Sequence, residues 1–249
     1  MGIKITIITV VLNNKKFITD AIESVLSQDY NHIEYIIIDG GSSDGSLDII
    51  QVYKDKIAKI VSEPDKGIYD AMNKGINLAT GDVIGFLNSD DFYADRNVIS
   101  KIVAAFEENI DAVYADLDYV SNHNKDKVIR AWRSGAYHEK KFYSGWMPPH
   151  PTFFARKSVY QKFGGYNASI HSSADYELML RFILKNKIKL SYIPEVLVKM
   201  RVGGQSNRSF TNRIKANFED RKAWSVNSLT PKFYTFWLKP LQKITQFRF

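Results

Sequence analysis

Residues 33–50 read IEYIIIDGGSSDGSLDII, and how they are parsed decides the fold. Ile36, Ile37 and Ile38 follow one another without the polar alternation of a half-exposed strand, so both faces of this strand are to be covered. Asp39 ends the run, the Gly- and Ser-rich residues 40–45 supply a turn, and Ser46 opens a helically spaced segment. The unit is a buried strand, a terminal carboxylate, a turn and a helix.

The same unit recurs on either side. Upstream, the apolar IKITIITVV precedes FITDAIESVLSQ, which sets Phe17, Ile18, Ala21, Ile22, Val25 and Leu26 on one helical side. Downstream, IAKIVSE reads as a third strand, IYDAMNKGINLA as a third helix and DVIGFLNSDD as a fourth strand. Four such alternations predict an α/β protein with a mostly parallel central sheet flanked by helices, its ligands held beyond the carboxyl ends of the strands. A helix, VISKIVAAFEE, and a strand, DAVYADLDYV, extend the pattern. It becomes irregular from Asn122 to His150 and resumes with the helix SADYELMLRFILKN and the strand KLSYIPEVLVKMRV. The organisation predicted is one domain over residues 1–205, with a nucleotide-binding half (1–95) and an acceptor-side half (96–205), joined to a basic, aromatic, helical extension over 206–249.

Composition narrows the chemistry. The 249 residues are 45% hydrophobic and 24% charged, as in an ordinary globular protein. Cysteine is absent, which excludes disulfides, thiolate nucleophiles and Cys-type zinc sites and suits a reducing compartment. Net charge is +7, and from Lys185 onward fourteen Lys and Arg stand against Glu195, Glu219 and Asp220. That bias fits an anionic membrane surface, nucleic acid or a solvated basic face. The run from Ile3 to Val11 is too short to span a membrane.

The loop after the first strand, LNNKKF, carries neither Gly-x-Gly-x-x-Gly nor Gly-Lys-Ser/Thr, so dinucleotide and P-loop sites are excluded there. Asn13 stands where an aspartyl-phosphate nucleophile would be needed, and no Gly-x-Ser-x-Gly or His-Glu-x-x-His occurs. The acids, in contrast, are ordered. Asp39 ends the second strand, Asp65 comes after the third, and Asp90 and Asp91 end the fourth. Any one of them serves equally as a turn or capping residue. As a set they line one edge of the sheet.

The succession TIITVVLNN, IIIDGGSSDGS, DKGIYDAMNKGINLATGDVIGFLNSDD and SADYEL resembles the family 2 glycosyltransferases over about the first 200 residues. Those enzymes have the GT-A, Rossmann-like nucleotide-diphospho-sugar transferase fold, and many build bacterial polysaccharide and lipopolysaccharide. The resemblance implies that Thr9, Val10 and Leu12 edge the nucleoside and that Asp39 accepts a hydrogen bond from the base imide, favouring uracil. It places Asp65, Lys66 and Asn73 near the base and phosphates. The pair Asp90–Asp91 matches the family's Asp-x-Asp, with Asn88 where the first acid usually stands; Asp91 is then the principal ligand of Mn²⁺ or Mg²⁺, and Asp90 lies near the ribose or the cation.

Asp175 matches the catalytic base, which deprotonates the acceptor hydroxyl in an inverting transfer. His150 and Trp146 fall on the acceptor side, and Arg201 is set to meet the diphosphate across the mouth. The implied partners are a nucleotide-sugar donor and a glycan or polyprenyl-diphosphate-linked acceptor. An anionic membrane surface and a homodimer are compatible, and nucleic acid is not expected. The implied location is cytoplasmic, peripheral at the inner face of the membrane. A sugar nucleotidyltransferase would need a Gly-rich basic loop after the first strand, which LNNKKF is not, and a non-catalytic glycan- or nucleic-acid-binding protein leaves the strand-end acids without a task.

Overall fold

The computed structural model describes residues 2–203, 210–244 and 246. The first half runs β1 (Ile5–Val11), α1 (Ile18–Leu26), β2 (Ile33–Asp39), α2 (Ser46–Val52), β3 (Lys59–Ser62), α3 (Ile68–Leu78) and β4 (Val83–Phe86). The second half runs β5 (Phe92–Tyr93), α4 (Val98–Ala105), β6 (Ala112–Val120), β7 (Val128–Trp132), α5 (Glu139–Tyr143), β8 (Phe154–Arg156), α6 (Lys157–Phe163), α7 (Ala174–Met179), β9 (Leu190–Arg201), α8 (Phe210–Val226) and α9 (Thr235–Ile244).

Among the described residues nine strands form one sheet in the order β3-β2-β1-β4-β8-β6-β9-β5, with β7 paired to β6. The first four strands are mutually parallel, as the β/α alternation predicts. Antiparallel pairing enters with the short β8, which joins β4 to β6, and with β5 and β7. The order 3-2-1-4 reverses direction at β1, so the crevice beyond the carboxyl ends of β1 and β4 is the topological switch point.

The unbroken apolar strands have a simple cause. Ile8, Val10, Ile36, Ile38, Ile84 and Phe86 project to one face, where α3, α7 and α8 contribute to the core. Ile5, Ile7, Val11, Tyr35, Ile37 and Val83 project to the other, under α1, α2 and α4. Both faces are covered, so both parities of the strands are mainly apolar, and the buried exceptions Thr6, Thr9 and Glu34 are hydrogen-bonded. Two contacts are so close that only glycine fits. A Cβ on Gly75 would stand 2.5 Å from Ile8 Cγ2, and one on Gly85 would stand 2.1 Å from the Phe154 ring.

The segment 122–150, irregular in sequence, contains β7 and α5 around an aromatic cluster. The helix that begins at Ala174 is α-helical for six residues and then widens into a π-helical stretch, Leu180–Lys185. The boundary expected between 205 and 206 lies outside the described residues. The helices beyond it are no detached tail: Ala223 and Trp224 are fully buried and join the main core.

Candidate active site

The loops beyond the carboxyl ends of the parallel strands are laced together. Asn13, in the left-handed region (φ 51°), donates its N–H to Ser42 Oγ at 2.8 Å and accepts Ser43 N–H at 2.9 Å. Asn14 N–H reaches Ser46 Oγ at 2.9 Å, and its side-chain amide donates to Ser89 Oγ at 2.8 Å. Lys15 N–H reaches Asp44 at 2.9 Å. The turns after β1, β2 and β4 therefore form one wall.

Asp39 stands at the centre of that wall, wholly buried. Its carboxylate accepts N–H groups of Gly41 and Ser42 and the Ser62 hydroxyl, the last at 2.6 Å. These donors hold the turn around a carboxylate that is enclosed, as that of Asp91 is. Asp65 lies beside it, Oδ2 being 2.8 Å from where a Gly40 Cβ would fall, and it pairs with Lys74 at 2.6 Å. Lys66 is exposed on the loop before α3.

The other expected donor-side residues stand in different surroundings. Thr9 is fully buried and its hydroxyl accepts from Tyr35 Oη at 3.0 Å, while Val10 packs into the core. Leu12, 55% exposed beside Gly40, is the one member of that trio at the surface. Asn73 has both amide atoms engaged by the backbone of Tyr166, at 2.9 and 2.8 Å, which fixes α3 to the loop before α7.

After β4 the chain turns sharply, Asp91 N–H bonding Asn88 O at 3.1 Å. This turn carries Asp91 into the protein. Its Oδ2 accepts Asn88 Nδ2 at 3.2 Å, but its Oδ1 and the Oδ1 of Asn88 are both enclosed without a protein donor. Burial, then the neighbouring Asp90 charge, pushes the Asp91 carboxyl well above the usual range. Burial also raises Asp90, against the pull of Arg201. Two buried acceptor oxygens without donors, beside a carboxylate pair that resists ionisation, fit a hard divalent cation, which takes oxygen ligands and supplies the missing positive charge. Among the described residues no group of three or more His, Cys, Asp or Glu could hold a metal, so any protein shell here is sparse.

Arg201 is not at the mouth. It is 3% exposed, donates to the Asp90 carbonyl at 2.7 Å and pairs with Asp20. Its guanidinium lies 4.5 Å from the Phe17 ring centroid and 4.8 Å from that of Phe92. Arginine is there because a planar, weakly hydrated cation fits between two rings and still offers two directed donors. It braces the Asp90–Asp91 turn against α1, with its Nε left without a partner.

On the acceptor side, Asp175 sits in the first turn of α7, where the helix dipole favours a carboxylate. Its Oδ1 accepts the Tyr176 N–H at 2.8 Å and the Tyr69 hydroxyl at 3.4 Å. Tyr69 stacks on Tyr166 at 5.4 Å, and burial followed by the Asp175 charge keeps its phenol protonated well above the usual range. His150 has its Nε2 enclosed without a partner, and burial lowers its pKa although the Asp175 charge opposes this. The imidazole is thus held neutral, close enough to Asp175 to feel its charge. Burial raises the pKa of the Tyr119 phenol, on β6, against the pull of Arg130, and the Asp91 and Asp175 charges add to the rise.

Trp146 is a core residue and does not reach the acceptor side's open space. It is 7% exposed, donates to Ser134 O at 2.9 Å, and packs edge-on against Phe142 and Tyr114. Tyr69, Asn88 and Tyr119 were not among the expected site residues. The first two lie within the family-like motifs, but only tertiary contact distinguishes Tyr69 from the core aromatics around it. A separate cavity of about 240 Å³, lined by Leu26, Tyr30, Ile33 and Lys56 among others, opens at the opposite edge of the sheet and has no part in this arrangement.

A buried Asp turn at a switch point, together with a carboxylate held at the start of a helix, suits the glycosyltransferases of GT-A architecture. The glycosyl transferase family 2 profile matches residues 6–166, and the chain belongs to that family. It is therefore a glycosyltransferase enzyme. An uncharacterised glycosyltransferase of Mycobacterium tuberculosis is 31% identical over 185 residues, covering 72% of this chain and 69% of its own length. A PGL/p-HBAD biosynthesis glycosyltransferase of Mycobacterium bovis is 27% identical over 208 residues, covering 81% and 78%.

Among solved structures, S. aureus TarS 1–349 in complex with UDP-GlcNAc superposes with a TM-score of 0.69 at 16% identity, covering 94% of this chain and 69% of that one. The mannosyltransferase PcManGT of Pyrobaculum calidifontis, in complex with GDP-Man and Mn²⁺, gives 0.68 at 14% identity, covering 96% and 73%. No helix among the described residues is long and apolar enough to cross a membrane.

Proposed function

We propose that the protein moves a sugar, with inversion, from a nucleotide-diphospho-sugar to a hydroxyl of a growing surface or lipid-linked glycan, aided by Mn²⁺ or Mg²⁺. The observation that carries this reading is the Asn88–Asp91 turn, where two buried oxygens lack a protein donor beside a carboxylate pair. Asp91 and Asn88 would hold the ion, with Asp90 beside them. Bound there, a divalent cation neutralises charge on a diphosphate leaving group.

The chain's own groups account for the rest. Asp175, capped by Tyr176 N–H and steadied by Tyr69, takes the proton of the acceptor hydroxyl as that oxygen attacks the anomeric carbon. Attack from Asp175's side, opposite a nucleotide held near Asp91, inverts the anomeric centre and needs no covalent intermediate. His150, neutral and with a free Nε2, offers the acceptor a hydrogen bond. The UDP preference leans on the UDP-GlcNAc complex of the TarS neighbour. A cytoplasmic enzyme working at the inner face of the membrane suits a lipid-linked acceptor.

The test is donor hydrolysis or transfer across UDP-, GDP- and dTDP-sugars with Mn²⁺, for the wild type and Asp91→Ala. Turnover with at least one donor, stimulated by Mn²⁺ and abolished in the variant while its circular dichroism is kept, is expected. Full activity of Asp91→Ala, or activity indifferent to chelator, overturns the proposal.

A further inference from the structure

The helices beyond residue 209 bury one side and leave aromatic side chains on the other. Trp224 and Phe236 face the core, whereas Phe218 is 69% exposed, Trp237 75% and Phe233 91%. Phe233 lies in the turn that leads into α9 and Trp237 in its first turn. Scattered exposed apolar residues are ordinary, but three aromatics on one two-helix unit are not.

The charges on this unit are sorted in the same sense. Its two described acids turn inward. Glu219 accepts the N–H groups of His171 and Ser172 at 3.0 and 2.6 Å, and Asp220 is 6% exposed and bound to Lys239 at 2.6 Å. Arg221, Lys222 and Lys232 are exposed. The Arg221 guanidinium lies over the Phe236 ring at 4.6 Å and the Lys222 ammonium donates to Ser169 O at 2.9 Å, so both cations are anchored on the protein while their residues stay exposed. The outward face is aromatic and cationic together.

We infer that this face, built on Phe218, Phe233 and Trp237 with Arg221, Lys222 and Lys232, seats the protein on an anionic lipid surface. Aromatic rings partition into the headgroup region, and cations are drawn to lipid phosphates. A second copy of the chain fits less well. A two-fold contact through this face would set the same cations against each other with no exposed acid on the unit to answer them. The placement builds on the lipid-linked acceptor proposed above: α8 abuts α7, Trp224 Nε1 donating to Tyr176 Oη at 3.0 Å, and Tyr176 adjoins Asp175. A bilayer under this face lies one helix away from the group that activates the acceptor.

The experiment is co-sedimentation of the full chain with phosphatidylglycerol/phosphatidylcholine vesicles and with phosphatidylcholine alone, in the absence of donor and acceptor. Asp91→Ala is included so that lipid binding is read independently of transfer. Wild type and Asp91→Ala are expected to bind the anionic vesicles alike, to bind neutral vesicles far less, and to be released by about 1 M salt. The double variant Phe233→Ser/Trp237→Ser, altered only at exposed positions, is expected to bind at least about tenfold more weakly with an unchanged melting temperature. Equal binding to both vesicle types, or a double variant that binds like wild type, overturns the inference. So does a concentration-dependent dimer in sedimentation velocity that the double variant abolishes, which would make a second copy the occupant.

Discussion

The donor side and the acceptor side of this molecule are built on opposite plans. On the donor side four parallel strands end at one edge, and short side chains lace their loops into a wall. On the acceptor side the pairing is mixed, the helices are short, and order comes from rings: Tyr114, Tyr137, Phe142 and Trp146 pack together, and Tyr69 lies on Tyr166. Hydrogen bonds fix positions to a fraction of an ångström, whereas aromatic packing tolerates rearrangement as long as volume is kept.

The comparison breaks most severely at Asp175. If the acceptor side contributes a base and not merely shape, Asp175→Asn lowers kcat by about 10²–10⁴-fold with donor KM nearly unchanged, as steady-state kinetics will show. An equal fall in donor binding would instead make Asp175 part of the donor wall. Trp224→Ala comes next, at about 3–5 kcal/mol of stability in chemical denaturation, because it empties a fully buried site and strips Tyr176 of a donor. A much smaller loss would mean that the C-terminal helices are an accessory and not part of the acceptor side's core.

Gly85→Ala probes the seam between the two sides, where β4 meets β8. It is expected to cost about 1–3 kcal/mol, since the added methyl meets the Phe154 ring. Chemical denaturation that leaves the variant as stable as wild type would show that the seam yields where the close contact suggests it cannot.

The mildest effect is on pH. Glu34, buried under the first strands, is pushed up by burial, but the Thr80 N–H and hydroxyl, the Thr6 hydroxyl and Lys4 outweigh this and hold it down at about 2. A folded pKa below the unfolded value stabilises the fold above about pH 4.5, and that contribution drains away as pH falls toward about 2. Melting curves of wild type and Glu34→Gln should therefore converge over that window. Curves that stay parallel would show that Glu34 does not titrate there.

The donor side was also the legible side. Ile36–Ile38 and Ile5–Val11 announce strands covered on both faces, and Asp39 and Asp91 announce a strand-end edge, because burial and period are local properties of sequence. The antiparallel insertion of three-residue β8 is not local, and neither is β7. For the site, residue type was readable but occupancy was not. Arg201, Asn73, Thr9 and Trp146 are all competent to touch a ligand, yet each is saturated or enclosed by a partner elsewhere in the chain: Asp20 and Asp90, Tyr166, Tyr35, and Ser134. Asp175 escapes this because its neighbours in the helix supply its cap.

The interlaced loops around Asn13 and Asn14 have a consequence for recognition. A pocket wall tied by five hydrogen bonds among Asn13, Asn14, Lys15, Ser42, Ser43, Asp44, Ser46 and Ser89 has already given up its conformational freedom before any ligand arrives. A donor meeting it loses only its own freedom. Selectivity among sugar nucleotides then depends on shape and charge, as a die selects a coin, rather than on the cost of closing a loop.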